Sequence, residues 1–418
     1  MVKLLIIADD FTGALDASVH FAVRGARTCV TADGDCDLAE AGREVQVLVL
    51  STDTRHLPPK DAYRVVYDAV SRAKAAGYRY IFKKTDSALR GNVGSELAAV
   101  MDAAGADNLV FVPAFPQIGR VTRNGILYIE GVPVAESVFG RDPFEPVRCS
   151  RIRDIIAQQT DKAVILHTAS EEVAPRRAGI QVYDAETQED LVRVLRVATA
   201  EDLQLTAGCA GFASVLADYL DLKGVPEKMP ELPSSLFVVC GSMNPVTIRQ
   251  LDEAERAGIR RFRLTPQQKL DATWLDSEAG QRMLQSCLEQ LRGSGACMVD
   301  VNSPDSQGVV YCSGEEGMSA QDARSRIAAN MGLLIKRLLD MGMEATLLCT
   351  GGDTLQALTR AVGVTTLVPV CELAYGTVLT RLAYAGKDYY IITKSGGFGE
   401  PELITTLASR IGVKLDKH

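Results

Sequence analysis

The segment IIADDFTGALDAS, residues 6–18, joins a short apolar run to two adjacent carboxylates and then to a stretch rich in small residues. Along the chain, apolar runs of four to seven residues alternate with amphipathic segments of helical period. This alternation is typical of parallel sheets that are covered by helices. The opening segment therefore predicts a strand that ends at Asp9 and Asp10, with a helix directly after it, and the whole chain is predicted to be α/β.

The length and one proline-rich segment predict two domains. The chain has 418 residues, and a domain usually holds about 100 to 200. The segment DLKGVPEKMPELPSS, residues 221–235, has three prolines and little periodicity, which is typical of a linker. We predict an N-terminal domain over residues 1–225, a linker over 226–235 and a C-terminal domain over 236–418. Each domain is expected to be a mainly parallel sheet flanked by helices.

The predicted strands follow the apolar runs. In the first half they cover residues 3–8, 45–50, 80–84, 109–113, 163–167, 181–184 and 204–207. In the second half they cover residues 236–240, 296–301, 345–349, 366–370 and 389–393. Turn residues around 124–133 predict a hairpin or small lobe added to the first sheet.

The composition limits the classes of partner that the protein is expected to bind. The net charge is −8 and there is no Lys/Arg-rich run. The sequence therefore predicts no basic surface patch to which nucleic acid or an anionic membrane would bind. No stretch approaches the ~20 apolar residues of a membrane span, and the N-terminus has no signal-peptide pattern. We expect a cytoplasmic protein with a small-molecule partner. The oligomeric state stays open, with a homodimer as one alternative.

Cysteines and histidines give no sign of a structural metal. The ten cysteines contain no C-x-x-C pair, and the four histidines (His20, His56, His167 and His418) lack metal-ligand spacing. Neither a zinc site nor a disulfide framework is therefore predicted. The cysteines are expected to be buried free thiols.

Charged residues follow four successive predicted strands of the first half. Ligands of open parallel sheets bind outside the carboxyl ends of the strands, so residues at these ends are candidates for a site. A structural loop needs only a capping oxygen and some glycine or proline, whereas these ends mix carboxylates with Lys and Arg. The residues concerned are Asp9 and Asp10, Asp53 and Arg55, Lys84, Asp86, Ser87 and Arg90, and finally Arg120.

Each of these residues also has a structural interpretation. Asp10 or Thr12 can cap the first helix, but two adjacent carboxylates repel unless a cation or a proton offsets their charge. We therefore expect Asp10 to cap while Asp9 faces the site.

Similar alternatives exist at the third and fourth strand ends. Asp86 or Ser87 can cap a helix that starts near Val93, and Arg90 can pair with Glu96. Arg55 and Arg120 taken alone are ordinary solvated charges, and only the shared edge favours a site.

Glycine and small hydroxyl residues follow the strands of the second half. Successive backbone N–H groups at a helix N-terminus can hold a phosphate, and glycine allows the close approach. The three loops predict a nucleotide site, although one such loop alone would be ordinary loop chemistry. They are VVCGSMNP with Ser242, LLCTGGDT with Gly351, Gly352, Asp353 and Thr354, and ITKSGGFGEP with Gly396 and Gly397. None matches the Walker A or the G-x-G-x-x-G pattern.

Six segments together resemble the four-carbon acid sugar kinase family. They are IADDFTGALDA, KKTDSALRGNVGSEL, VFVPAFPQIGR, CGSMNP, TGGDT and KSGGFGEPE, and they occur in this order across nearly the whole chain. The resemblance implies an N-terminal domain for a short polyhydroxy acid, a C-terminal domain for ATP, and phosphorylation of the 4-hydroxyl. Residues 132–147, VPVAESVFGRDPFEPV, resemble the D-threonate kinase branch.

The resemblance also implies site residues. It places Asp9, Arg55 and the run Lys84, Thr85, Asp86 and Ser87 at the acid sugar. At ATP it places Ser242, the turn from Gly351 to Thr354, and Gly396.

Phosphoryl transfer requires an aligned hydroxyl, Mg²⁺ with other cations, and a carboxylate that accepts the proton. Asp9 and Asp86 are the candidates for that base, with Asp86 close enough to share substrate or Mg²⁺, and no metal ligand is assigned. The fork of Arg55 suits the substrate carboxylate, and Lys84 suits a phosphoryl oxygen. Closure about the linker is expected to exclude water.

Three alternatives stay open. Within the family, the substrate can instead be erythronate, 3-oxo-tetronate or 4-hydroxy-L-threonine. Outside it, a nicotinamide-dependent oxidoreductase or a non-catalytic two-lobed sugar-acid binding protein can use the same scaffold.

Overall fold

A computed structural model describes residues 3–142, 145–169, 178–302 and 318–415. These residues belong to two compact units, residues 1–227 and 228–418. The C-terminal His418 lies outside the described ranges. Within those ranges every helix is too short or too polar to cross a lipid bilayer.

The N-terminal unit alternates strands and helices. Its strands are β1 (Leu4–Ala8), β2 (Thr28–Thr31), β3 (Val47–Ser51), β4 (Tyr80–Lys84), β5 (Asn108–Val112), β6 (Arg120–Arg123), β7 (Ile126–Ile129), β8 (Val132–Pro133), β9 (Val164–His167), β10 (Gly179–Tyr183) and β11 (Leu205–Gly208). Its helices are α1 (Phe11–Ala22), α2 (Leu38–Ala41), α3 (Pro59–Ala75), α4 (Val93–Ala104), α5 (Ile152–Ala157), α6 (Gln188–Val197) and α7 (Ala210–Tyr219). Short 3₁₀ turns cover Pro116–Ile118, Val134–Glu136, Val138–Arg141 and Asp202–Gln204.

Eight of these strands form a parallel sheet in the order β2–β3–β1–β4–β11–β5–β10–β9. Leu5 and Ile7 of β1 pack with α3 and α4 on one face, whereas Phe82 of β4 contacts Phe212 of α7 on the other. After β1 the chain forms β2 and β3 on one side of this strand and then β4 on the other side, so β1 is a topological switch point. Its carboxyl end is where such sheets bind ligands.

A small antiparallel sheet, β6–β7–β8, accompanies the parallel sheet. The hairpin predicted around residues 124–133 is confirmed, and it extends back to Arg120. The four-residue strand β2, TCVT, was not predicted from the sequence because it is too short to show a period.

The C-terminal unit repeats the alternation. Its strands are β12 (Leu236–Cys240), β13 (Arg260–Arg263), β14 (Ala296–Asp300), β15 (Thr346–Thr350), β16 (Thr366–Ala374), β17 (Thr377–Tyr384) and β18 (Lys387–Lys394). Its helices are α8 (Pro245–Arg256), α9 (Pro266–Leu270), α10 (Glu278–Gly293), α11 (Ala320–Asp340), α12 (Gly352–Val362) and α13 (Leu403–Arg410), with a 3₁₀ turn at Trp274–Asp276.

These strands follow the order β13–β14–β12–β15–β18–β17–β16. The first five are parallel, and β17 runs antiparallel to β16 and β18. The core on one face joins β12 to α8 and α13. As with β1, strand β12 has neighbours on both sides that come from different crossovers, so its carboxyl end is a second switch point. The predicted α/β class with mainly parallel sheets is confirmed.

The described cysteines are all free. Five are buried (Cys209, Cys240, Cys287, Cys297 and Cys349), and four are half-buried (Cys29, Cys36, Cys149 and Cys371).

Candidate active site

Asp10 caps helix α1, as the sequence predicts. Its Oδ1 accepts a hydrogen bond of 2.8 Å from the backbone N–H of Gly13. A Cβ added at Gly13 would lie 2.3 Å from that oxygen, so only glycine fits beside the cap. The cap fixes the point at which the chain turns from β1 into α1.

Arg55 joins three carboxylates at the carboxyl ends of β1, β3 and β4. Its Nε donates to Oδ2 of Asp9 at 2.7 Å, and its Nη1 donates to Oδ2 of Asp10 at 2.8 Å. The Nη2 atom lies 3.6 Å from Oδ1 of Asp86. Burial raises the pKa of Asp10, but Arg55 and Lys84 outweigh burial, and the pKa is lowered below its usual value. Adjacent aspartates are tolerated here because one guanidinium bridges them.

Asp86 is held mainly by Arg90. Its Oδ2 accepts from the backbone N–H of Ala88 and from Nε of Arg90, each at 3.0 Å, and its Oδ1 accepts from Nη2 of Arg90 at 2.8 Å. Burial raises the pKa of Asp86, but Arg90 and Arg55 more than offset this and hold it well below the usual range. A carboxylate with these contacts is a weak proton acceptor.

Two structural alternatives drawn from the sequence are wrong. Helix α4 has Asn92 as its N-cap residue, not Asp86 or Ser87. Arg90 pairs with Asp86 and with Asp142, not with Glu96. The reason is that residues 86–92 form a compact turn that folds the guanidinium back onto the Asp86 carboxylate.

Glu96 instead forms a buried ion pair with Lys83. The Nζ of Lys83 lies 2.8 Å from Oε2 of Glu96, and both side chains are buried. Thr54 also donates its hydroxyl to Glu96. This pair fixes α4 and the loop after β3, and therefore the backbone that carries Arg55.

Lys84, the last residue of β4, is buried on the α1 side of the sheet. Its Nζ donates to the backbone oxygen of Thr85 at 2.8 Å. A Cβ added at Gly13 would lie 3.1 Å from this Nζ. The Thr85 side chain is buried, and its hydroxyl has no hydrogen-bond partner among the described residues. Its backbone N–H donates to the backbone oxygen of Gly208 at 2.8 Å.

Arg120 and Arg90 share an aromatic contact that the sequence did not reveal. Their guanidinium carbons lie 5.0 and 5.2 Å from the ring centre of Phe139, and Arg120 donates to the hydroxyl of Ser87. Phe139 and Asp142, which were not predicted, thus hold the arginines from outside the parallel sheet. Both residues lie in the segment 132–147, which resembles the D-threonate kinase branch.

Asp9 keeps one carboxylate oxygen without a partner. Its Oδ2 is bound to Arg55, but Oδ1 is buried and accepts no hydrogen bond from the described residues. Asp16 of α1 shows the same feature at its own Oδ1, and the sequence prediction did not include Asp16. A buried, unsatisfied acceptor in a polar cluster is unfavourable in the free protein and fits a ligand that donates.

The predicted phosphate loops of the C-terminal unit lie next to one another. A Cβ at Gly241 would lie 2.0 Å from Oγ1 of Thr354, and a Cβ at Gly396 would lie 2.8 Å from Oγ of Ser242. Gly351 has φ +99°, and its virtual Cβ lies 3.5 Å from the backbone nitrogen of Ser242. These contacts bring together the ends of β12, β15 and β18, and they require small residues.

Lys394 lies directly beneath the third loop. Its Nζ donates to Oγ1 of Thr247 at 3.1 Å and to the backbone oxygens of Ser395 at 3.0 Å and Gly396 at 3.3 Å. Burial lowers the pKa of this ammonium to about 8. The loop with Gly396 and Gly397 is thereby tied to the end of β18 and to α8.

The remaining predicted residues lie at the start of α12. Gly352 is the first residue of this helix. Asp353 follows it and accepts from Nε and Nη2 of Arg324 at 2.6 and 3.2 Å. Asp353 is therefore occupied by an arginine of α11. The described ranges contain no group of three or more His, Cys, Asp or Glu side chains arranged to hold a metal ion.

Each unit contains a match to a described protein family. Residues 4–216 match the family described as "Sugar-binding N-terminal domain", and residues 237–404 match "Nucleotide-binding C-terminal domain". The chain belongs to the four-carbon acid sugar kinase family. The charged cluster lies in the first match and the glycine loops lie in the second.

Curated relatives of this chain are kinases. A D-threonate kinase of Salmonella typhimurium is 30% identical over 95% of this chain and 96% of the relative. A D-erythronate kinase of Heliobacterium modesticaldum is 31% identical over 100% and 99%. A 3-oxo-tetronate kinase of Methylobacterium radiotolerans is 27% identical over 94% and 95%. Of the three classes considered from the sequence, kinase is the correct one.

A solved structure has the same fold. A protein of Salmonella typhimurium LT2 superposes with a TM-score of 0.78 at 22% identity, over 99% of this chain and 100% of the other.

Proposed function

We propose that this chain phosphorylates the 4-hydroxyl of D-threonate, with ATP as the phosphoryl donor. The observation that carries the proposal is the unpartnered, buried Oδ1 of Asp9 at the switch point of the sugar-binding unit. This oxygen is a suitable acceptor for the proton of a substrate hydroxyl. The D-threonate kinase relative supports the choice of substrate.

Each candidate residue then has a role. We assign the general base to Asp9 and not to Asp86, because Asp86 is occupied by Arg90 and its pKa is held low. Arg55 orients Asp9, and Lys84 binds substrate oxygen atoms as a point charge. Arg90 and Arg120 form the cationic side of the acid-sugar site, and Ser87 adds a hydroxyl that accepts from Arg120. Thr85 offers its unpartnered hydroxyl.

The glycine loops are assigned to the phosphates of ATP. We assign hydroxyl donors to Ser242 and Thr354. They would add to the backbone N–H groups near Gly351, Gly352, Gly396 and Gly397. Mg²⁺ stays a prediction, and no ligand is assigned to it. The domain boundaries, the cytoplasmic location and the homodimer alternative also stay predictions.

D-Erythronate is the second candidate substrate, because the relative with that activity matches the whole chain at similar identity. The test is ADP release over D- and L-threonate, D- and L-erythronate, their 3-oxo relative and 4-hydroxy-L-threonine. We expect the highest kcat/KM with D-threonate, by at least ~10-fold over its diastereomers. A maximum with another acid would move the substrate assignment, and no ADP release with any of them would contradict the proposed function.

A further inference from the structure

Asp16 is a buried carboxylate with no evident structural purpose. Its side chain is on α1, six residues after the capping Asp10, and the residue is 7% exposed. Its Oδ1 is buried and has no hydrogen-bond partner within the part of the chain that the structure describes. Among the described residues, none forms an ion pair with Asp16 within 4.0 Å. A carboxylate that only stabilised the fold would be expected to have such a partner.

The helix directs this carboxylate toward Lys84. Residues three apart share a helix face, and helical side chains lean toward the N-terminus, so Asp16 lies over the turn that contains Gly13. Gly13 has no side chain, and the space that its Cβ would fill adjoins the Nζ of Lys84. Because Gly13 has no Cβ, the Lys84 ammonium and Oδ1 of Asp10 can both lie close to this turn of α1.

The charges around Asp16 indicate the kind of group that it can bind. Burial is the main effect that raises its pKa, to about 6, and Asp10 acts in the same direction, whereas Lys84 and Arg120 oppose it. Burial raises the pKa of the Cys209 thiol, which directly precedes α7, and the charge of Asp16 acts in the same direction. Asp16 is thus ionised at neutral pH and can only accept, while the Lys84 ammonium can only donate. A hydroxyl, which both donates and accepts, complements the pair, and a second carboxylate does not.

We propose that Asp16 determines substrate specificity by accepting a hydrogen bond from a non-reacting hydroxyl of the acid sugar, on C2 or C3. The proposal rests on the proposed function. Asp9 at the sheet edge is kept for the hydroxyl that is phosphorylated, and Asp16 lies further along α1. The predicted consequence is discrimination against acids that lack the matching hydroxyl.

The test compares the best tetronate with 3,4-dihydroxybutanoate and 2,4-dihydroxybutanoate, which lack the C2 and C3 hydroxyls respectively. A site built to bind a hydroxyl rejects the analogue without it strongly, so we expect the wild type to prefer the tetronate over one deoxy acid by at least ~10²-fold in kcat/KM. Asp16→Ala should reduce that ratio to less than ~10-fold and leave the other ratio unchanged. Unchanged ratios for both acids, with an even loss of activity, would overturn the proposal.

Controls separate this role from a structural one. Ser18→Ala removes another buried polar group of α1, whose hydroxyl donates to Leu15 at 2.8 Å, and it should leave both ratios as in the wild type. Asp16→Leu has a similar shape but no oxygen that can accept a hydrogen bond. It decides the matter if Asp16→Ala does not fold, since a wild-type ratio in Asp16→Leu contradicts the proposal.

Failure of the proposed function would be visible separately, as a wild type that releases no ADP with any tetronate. In that case calorimetry of the same three acids without ATP still tests Asp16. Equal affinities of the wild type for the tetronate and both deoxy acids would then overturn the assignment.

Discussion

The two units differ in the residues that lie at the carboxyl ends of their switch-point strands. In the N-terminal unit, side-chain charges occupy the strand ends, and Arg55 ties Asp9, Asp10 and Asp86 into one network. In the C-terminal unit, glycine and backbone occupy them, with Gly241 and Gly396 in close contact with hydroxyl side chains. A charged network positions specific polar groups, whereas a glycine edge presents N–H groups to a ligand that is itself highly charged.

The comparison predicts different sensitivities. A change of charge that preserves volume should damage the first edge, and added volume without charge should damage the second. Asp9→Asn tests the first statement and Gly396→Val tests the second. Arg55→Lys and Asp16→Asn test how two individual charged groups of the N-terminal unit act.

Asp9→Asn should lower kcat by at least ~10²-fold, because an amide oxygen is a poor proton acceptor. The melting temperature should change little, since Asn can still accept from Arg55. Asp10→Asn is the matched control: it keeps a capping oxygen and should lower kcat by less than ~10-fold. Steady-state kinetics and thermal unfolding measure both. An active Asp9→Asn beside an inactive Asp10→Asn would exchange the two roles.

Arg55→Lys should lower kcat by ~10- to 100-fold, because one ammonium cannot bridge Asp9, Asp10 and Asp86 as the guanidinium does. The KM for ATP should stay unchanged. Arg64→Lys, at an arginine of α3 whose side chain is exposed, is the control and should have no effect.

The sequence suggested that Arg55 reads the substrate carboxylate, but each of its terminal nitrogens and its Nε already faces an aspartate. An increase in the KM for the acid at constant kcat would restore that interpretation.

Gly396→Val should raise the KM for ATP by ~10-fold or more. An increase of tenfold corresponds to a loss of about 1.4 kcal/mol of binding free energy. The added atoms collide with Ser242 and Asn244. Gly293→Val, at a glycine of the same unit with no atom near its virtual Cβ, is the control. An equal increase in the KM for the acid sugar would contradict the assignment of this loop to the nucleotide.

Asp16→Asn should alter the pH dependence of stability. Burial raises the pKa of Asp16 from 3.8 to about 6, so the folded state binds an extra proton between these values. The stability that this proton provides is present below about pH 4 and is lost as the pH rises through about 6. At pH 7.5 the buried charge therefore destabilises the wild type by about 3 kcal/mol.

The amide removes this charge. We expect Asp16→Asn to melt roughly 5 °C above the wild type at pH 7.5 and close to it at pH 4. A difference of the same size at both pH values would show that the charge of Asp16 is not the cause.

The sequence alone was sufficient to predict the backbone elements that form both candidate sites. The strand that ends at Ala8 and the cap at Asp10 follow from local rules, because apolar runs and capping oxygens act within a few residues. The glycine loops could be located for the same reason, since close backbone contacts exclude larger residues.

Partner choice could not be predicted in this way. Arg55 and Glu96 find their partners through tertiary packing, so Glu96 pairs with Lys83 from another element and not with the nearby Arg90, which binds Asp86 within its own turn. Phe139 and Asp16 were missed because an aromatic in a loop and an acid in a helix look ordinary until the fold places them beside arginine and lysine.

The adjacent lysines at the end of β4 have a consequence for folding. Lys83 points to the α4 side and Lys84 to the α1 side of the same strand. A slip of β4 by one residue against β1 would exchange the faces of all its side chains and carry each ammonium into the opposite layer. Removing one partner from a buried ion pair typically costs about 3 to 5 kcal/mol, so the slipped sheet is strongly disfavoured. The two lysine charges therefore also favour the observed register of β4 against β1.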